Sequence, residues 1–469
     1  MSGLTRLKWA GFLAYHTARE RWIPFESESG VRALAERRMR GILRYATARI
    51  PYYQEVLRAA GLEPRDVRTL EDLARLPLLT KEELVGEPGL CSAPGRGEGL
   101  EIQSSGTSGR SRTIFHTGAS LFLNLAGGYR MRAAMAPFTG RLRGCREALI
   151  VRRGSVHEQI RRFYAETGPR LPDGGTGGEF ILPPAGDFRE ELRRLNEYQA
   201  DVVRGYGSYL GAFYRWVYNT GAELARPKAV VYGADGMPDA DRQLIEEGLR
   251  IPVFSVYQAV EALRIGYQCP LRQGLHVYAD QVHVRVVDGQ GRALTPPATG
   301  DLVISNLINP GTVLLNYKLG DVVTLSAEPC ACGRSGLRIL RIEGRNDDVV
   351  WRPDGAAIHA LTLMAALQKF SGVVQVQVEQ KRTDAFTLRV VPCAGQDWPS
   401  LARALGEAMR QVLGYAAEIE VQSVPSIPAG PNKKVRAVIS HVQPPGAIRH
   451  DGRSGWVPDA RLGARARRG

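Results

Sequence analysis

Short apolar, β-branched runs alternating with helical stretches are the feature that most restricts this fold. Ala148–Val151, Ala229–Tyr232, Val253–Tyr257 and Leu302–Ser305 each have the length and composition of a buried strand. Between them, Asp239 to Gly248 has a helical period and ends on glycine. Such alternation predicts an α/β architecture with mainly parallel sheets. Residues 31–80 read as helices. Val31 to Tyr45 is amphipathic, and Thr80 followed three residues later by Glu83 forms a capping box. Beyond Gly344 the pattern changes to a small α+β unit. Its strands are expected at 373–379, 386–391, 417–421 and 435–439, with a helix over 399–413. The predicted organisation is a large domain over 1–343, a hinge at 344–348, a small C-terminal domain over 349–442 and a basic tail over 443–469.

Composition excludes several classes. Of the 469 residues, 44% are hydrophobic and 23% charged, which fits a globular protein rather than a collagen-like or disordered one. No apolar run approaches the roughly 20 residues that a bilayer helix needs. Residues 5–22 read as an amphipathic helix packed on the core rather than a secretory leader, so a cytoplasmic location is expected. The net charge of +14 comes from arginines scattered along the chain and from the Gly- and Pro-punctuated tail, which is expected to be disordered. No nucleic-acid module accompanies that charge, so neither nucleic acid nor membrane is an expected partner.

The most informative stretch is Ser104-Ser105-Gly106-Thr107-Ser108-Gly109-Arg110-Ser111-Arg112. Its five hydroxyl side chains and two glycines let backbone and side chains donate to an anion at close range. It is no Walker A loop, since no lysine follows Gly109. Taken alone it reads equally well as a surface loop. Further along stand Tyr257-Gln-Ala-Val-Glu261, Gly300-Asp-Leu-Val-Ile-Ser-Asn-Leu307, Asn316-Tyr-Lys-Leu-Gly-Asp321, Cys330-Ala-Cys-Gly-Arg334 and Gly344-Arg-Asn-Asp-Asp348. In this order the segments resemble the motifs of the adenylate-forming (ANL) superfamily, and specifically its phenylacetate–CoA ligase and CapK-like branch. The resemblance spans residues from about 35 to 440.

That resemblance implies an ANL fold and two-step chemistry. ATP and a carboxylic acid, aromatic in the branch it resembles, give an acyl-adenylate, and coenzyme A then displaces AMP. By the same resemblance, Ser104 to Gly109 cradle the ATP phosphates, with Arg110 or Arg112 assisting. Gly233, Ala234, Asp235, Tyr257 and Gln258 sit at the nucleotide, and Glu261 holds Mg²⁺. Asp321, acceptor-only when ionised, suits the two ribose hydroxyls, and Arg345 lies near ribose and phosphate. Asp347 is the implied hinge and Lys434 the implied catalytic lysine, with Lys433 as the alternative. Relatives of this kind commonly form homodimers.

Cys269, His276, Cys330 and Cys332 make a Cys₃His set suited to a closed structural zinc site. Reduced thiols in the cytosol favour metal over disulfide, and buried free thiols are the alternative. Cys91, Cys145 and Cys393 read as structural. Several positions depart from the family pattern: Gln258 for Gly, Asp235 for Glu, Asn316, Lys318 and Leu319 within the RYRTGD-like segment, Arg352–Gly355, and Lys433 where Gly precedes the lysine. They leave two other readings open, an adenylating enzyme with an amine, hydroxyl or carrier-protein acceptor, and a non-catalytic nucleotide-binding homologue.

Overall fold

Five strands, Glu147–Ile150, Glu179–Leu182, Val202–Tyr206, Ala229–Gly233 and Val253–Ala259, run parallel in neighbouring register. They are buried on both faces. Ala148, Ile150, Val203 and Val230 pack with Leu210, Phe213 and Tyr214 of the helix Gly207–Thr220. Val202, Ala229, Val231 and Phe254 join the opposite core, which includes Met131 and Met135 of the helix Gly118–Thr139. This is the double burial that a continuous apolar run signals. The computed structural model describes residues 3–87, 89–93, 95, 97–104, 112–169, 179–184, 187–345, 349–370, 372–393, 395–427 and 437–442.

The same sheet continues past Val253–Ala259 with seven more strands, all antiparallel to their neighbours. Seven of the eleven pairings in this twelve-stranded sheet are therefore antiparallel, which corrects the expectation of mainly parallel sheets. The cause is local. After residue 259 the strands are joined by short turns, too brief for a helical crossover. Tyr317–Ser326 alternates buried and half-buried positions, as an antiparallel strand with one covered face does. Asp239 to Gly248 is an α-helical turn, Asp239–Gln243, running into a π-helical one, Leu244–Gly248.

The N-terminal helix Gly3–Glu20 lies on Gly118–Thr139, with Trp9 stacked on Phe122 at 4.4 Å. A Cβ at Gly118 would stand 2.9 Å from the Trp9 ring, so close packing requires glycine there. Below the contact, Arg130 joins Glu20 and Asp280 in a buried ion network, and Arg38 closes it on Asp280 at 2.9 Å. Thr80 and Glu83 make the reciprocal bonds of a capping box.

The C-terminal residues build a separate four-stranded sheet from Val373–Arg382, Ala385–Pro392, Glu418–Ser423 and Val438–Ser440, covered by the helices Ala360–Leu367 and Trp398–Leu413. Its core runs from Val350 to Val438. Arg215, doubly paired to Asp241 at 2.7 Å, reaches across and donates to the Val373 carbonyl at 3.0 Å.

Candidate active site

Strand Val253–Ala259 is the seam of the large sheet, parallel to one neighbour and antiparallel to the other. Ligands in open α/β sheets bind outside the carboxyl ends of the parallel strands. Tyr257 lies at that end, and Glu261 occupies the tip of the hairpin joining Val253–Ala259 to Leu263–Gln268.

Two tyrosine–carboxylate pairs of equal spacing cross here. Tyr257 stands four residues before Glu261, and Tyr317 four before Asp321. On strand Tyr317–Ser326 the even spacing turns Tyr317 and Asp321 to the same buried face. The Tyr257 hydroxyl donates to Asp321 Oδ2, and Arg345 Nε donates to Oδ1 at 3.1 Å. Arg345 is directly opposite Asp321 in the ladder, so backbone pairing delivers this contact. Burial, and then the neighbouring Asp321 charge, holds the Tyr257 hydroxyl well above its usual titration range, so it stays a donor. An ionised carboxylate has about four lone-pair positions. Among the described residues two are used, which leaves room for a pair of vicinal hydroxyls.

Glu261 is held differently. Arg112 Nη1 lies 3.1 Å from Glu261 Oε1 and donates to the Tyr317 hydroxyl. Arg112 and Glu261 are 6% and 4% exposed. Arg112, Ile114 and His116 share the inward face of strand Arg112–Thr117, and His116 Nε2 lies 2.7 Å from the Val260 carbonyl. Asn306 Nδ2 donates to the Glu261 carbonyl at 3.0 Å. The hairpin tip is thus fixed at three points. The Mg²⁺ expected at Glu261 meets a carboxylate already paired with a guanidinium. Among the described residues, no group of three acidic, His or Cys ligands gathers around it. Glu261 therefore offers a divalent ion one carboxylate that is already paired, not a protein cage.

The strands Gly99–Ser104 and Arg112–Thr117 pair antiparallel, with Ser104 opposite Arg112, and so carry the two ends of the Ser/Thr/Gly segment to this site. Ser105, Gly106, Thr107, Ser108 and Gly109 lie outside the described residues, as do Asp347, Lys433 and Lys434. Gly233 ends its strand against Val256, whose Cγ2 a Cβ would meet at 2.9 Å. Ala234 follows with φ of 68°. Asp235 then turns to the N-terminus of the helix Gly207–Thr220, accepting from the Gly207 and Ser208 amides and the Ser208 hydroxyl. Its carboxylate caps that helix, a role distinct from the nucleotide contact the motif implies. Gln258 is exposed, beside a bulge in the pairing with Leu263–Gln268.

Asn316 is a departure with a structural reason. It adopts φ of 56°, a region Asn tolerates better than most residues. Its Nδ2 donates to the Leu76 and Pro77 carbonyls at 2.7 and 3.1 Å, and its Oδ1 accepts from Arg285.

At the far end of strand Arg338–Arg345 lies the Cys₃His group. Arg338 pairs with His276, and the ligand atoms of Cys269, His276, Cys330 and Cys332 all lie within 4.8 Å of one another. Cys332 Sγ is 3.3 Å from His276 Nε2, and Cys269 and Cys330 sulfurs are 3.9 Å apart. Burial lowers the His276 pKa to about 4, keeping the imidazole in the neutral form a metal needs.

The model of the CapK C-terminal domain matches residues 350–441. A phenylacetate–coenzyme A ligase of Thermus thermophilus is 29% identical over 68% of this chain and 71% of its own length. Protein CapK of Staphylococcus aureus is 20% identical over 87% and 89%. The chain is thus similar to phenylacetate–CoA ligases and to CapK over most of its length. Its fold matches that of 2-hydroxyisobutyryl-CoA ligase with a bound acyl-AMP in the postadenylation state, with a TM-score of 0.70 at 19% identity over 90% and 91% of the two chains. Against the same ligase in the thioesterification state the score is 0.58.

Proposed function

We propose that the chain activates a carboxylic acid with ATP to an acyl-adenylate and passes the acyl group to coenzyme A. The observation that carries this reading is the Tyr257–Asp321–Arg345 constellation at the carboxyl end of the parallel strands. Asp321 would accept both ribose hydroxyls, held in place by Tyr257 and Arg345. Arg345 and Arg112 would offset the negative charge that accumulates as a carboxylate approaches phosphorus. The segment 104–109 would donate to the phosphates, and Lys434 would stabilise charge at the α-phosphate and carboxylate. Mg²⁺ would arrive with the ATP phosphates rather than be held by a protein cage. Asp347 would be the pivot between the large unit and the 349–442 unit.

Cys269, His276, Cys330 and Cys332 would hold a structural zinc ion. Four ligands close the tetrahedral shell, which leaves no open position for catalysis. A cytoplasmic location suits the reduced thiols. No helix of the described residues is long and apolar enough to cross a membrane. A homodimer is the assembly to test by sedimentation.

The similarity to ligases named for phenylacetate favours an aromatic acid, while the solved fold neighbour carries an aliphatic hydroxy acid on AMP. The test is acyl-CoA formation, followed by mass spectrometry, across aryl, arylacetic and hydroxy acids. Thioester from one class supports the reading and names the substrate group. AMP formation without thioester would favour an amine or carrier acceptor.

A further inference from the structure

Arg112 follows the Ser/Thr/Gly segment in sequence and pairs with Glu261. Its guanidinium is buried, 3.1 Å from the carboxylate, and further anchored by the Tyr317 hydroxyl. An arginine in a protein does not lose its proton, so this charge is permanent. The positive charge that a divalent ion would bring to Glu261 is therefore already present, three residues after Gly109. We infer that Arg112 is a resident cation that substitutes for a divalent ion at Glu261, so that this chain binds ATP with little dependence on Mg²⁺. The inference rests on the ATP-binding reading above.

The direct test is calorimetric binding of ATP in magnesium and in EDTA, for the wild type, Arg112→Gln and Arg112→Lys, each first checked for a cooperative thermal transition. A charge-assisted contact supports a difference of about tenfold in affinity, so the wild type should change by less than about threefold between the two buffers, whereas Arg112→Gln should weaken by about tenfold or more in EDTA and recover with magnesium. Arg112→Lys retains the charge and should retain binding in EDTA. A wild type that loses affinity in EDTA as far as Arg112→Gln, or an Arg112→Lys that loses it equally, overturns the inference and leaves adenylation standing. Absence of ATP binding to the wild type in both buffers overturns the inference and the nucleotide reading together.

Discussion

Asp321 receives a tyrosine hydroxyl on one oxygen and a guanidinium on the other, and both donors are set by strand register rather than by loops. Replacing it with Asn keeps the shape but turns one acceptor into a donor. Asp321→Asn should weaken AMP binding by about tenfold or more, since hydrogen bonds to a charged group contribute about 1.5–3 kcal/mol. Tyr257→Phe should leave that carboxylate short of a buried donor and lower stability by about 1–3 kcal/mol, measured by urea denaturation. Asp321 and Glu261 were readable in the sequence because each stands in a motif of fixed spacing. The partner of Glu261 was not. Whether Arg112 faces phosphate or core depends on the phase of strand Arg112–Thr117, and pairing with Gly99–Ser104 sets that phase. Asn316 looked like a weakened motif, yet its backbone angle and its bonds to residues 76 and 77 explain it.

Among the elements, helix Gly207–Thr220 takes its N-terminal cap from another strand's turn. Its own N-cap residue, Tyr206, supplies no side-chain capping bond, and Asp235 supplies the acceptor. Asp235→Ala should destabilise the protein by about 1–2 kcal/mol, as loss of an N-cap does, with a lowered melting temperature as the readout. A Cβ at Gly207 would stand 2.7 Å from the backbone of Gly236 and Met237, so Gly207→Ala should cost more than the cap. Strand Arg338–Arg345 links the Cys₃His group to Arg345. The purified protein should carry about one zinc per chain by elemental analysis, and Cys330→Ser should lose both metal and thermal stability. Three of the five parallel strands announced themselves as apolar runs, but so did Leu302–Ser305 of the antiparallel half, because connections, not composition, set the direction of each strand.

Across the whole molecule, buried histidines tie stability to pH. Burial lowers His116 and His283 to about 4 from their usual 6.5. The unfolded chain therefore binds more protons than the folded one between those values. Stability is full above about 6.5 and falls as the pH drops toward 4, by about 2 kcal/mol per histidine at pH 5. Denaturation midpoints measured at pH 7 and 5 should show that loss, and His283→Gln should reduce it. The Arg215–Val373 contact joins the large sheet's helix layer to the C-terminal sheet. The sequence signals a second unit after residue 344 by its change of pattern but holds no signal for the Arg215 contact.

The most direct measurement is ATP–pyrophosphate exchange across the acid panel without coenzyme A, for the wild type and Lys434→Ala. Exchange that requires one class of acid and disappears in Lys434→Ala is the expected result. Unchanged exchange in Lys434→Ala would remove that residue from catalysis, and no exchange with any acid, while ATP still binds, would contradict acid activation itself.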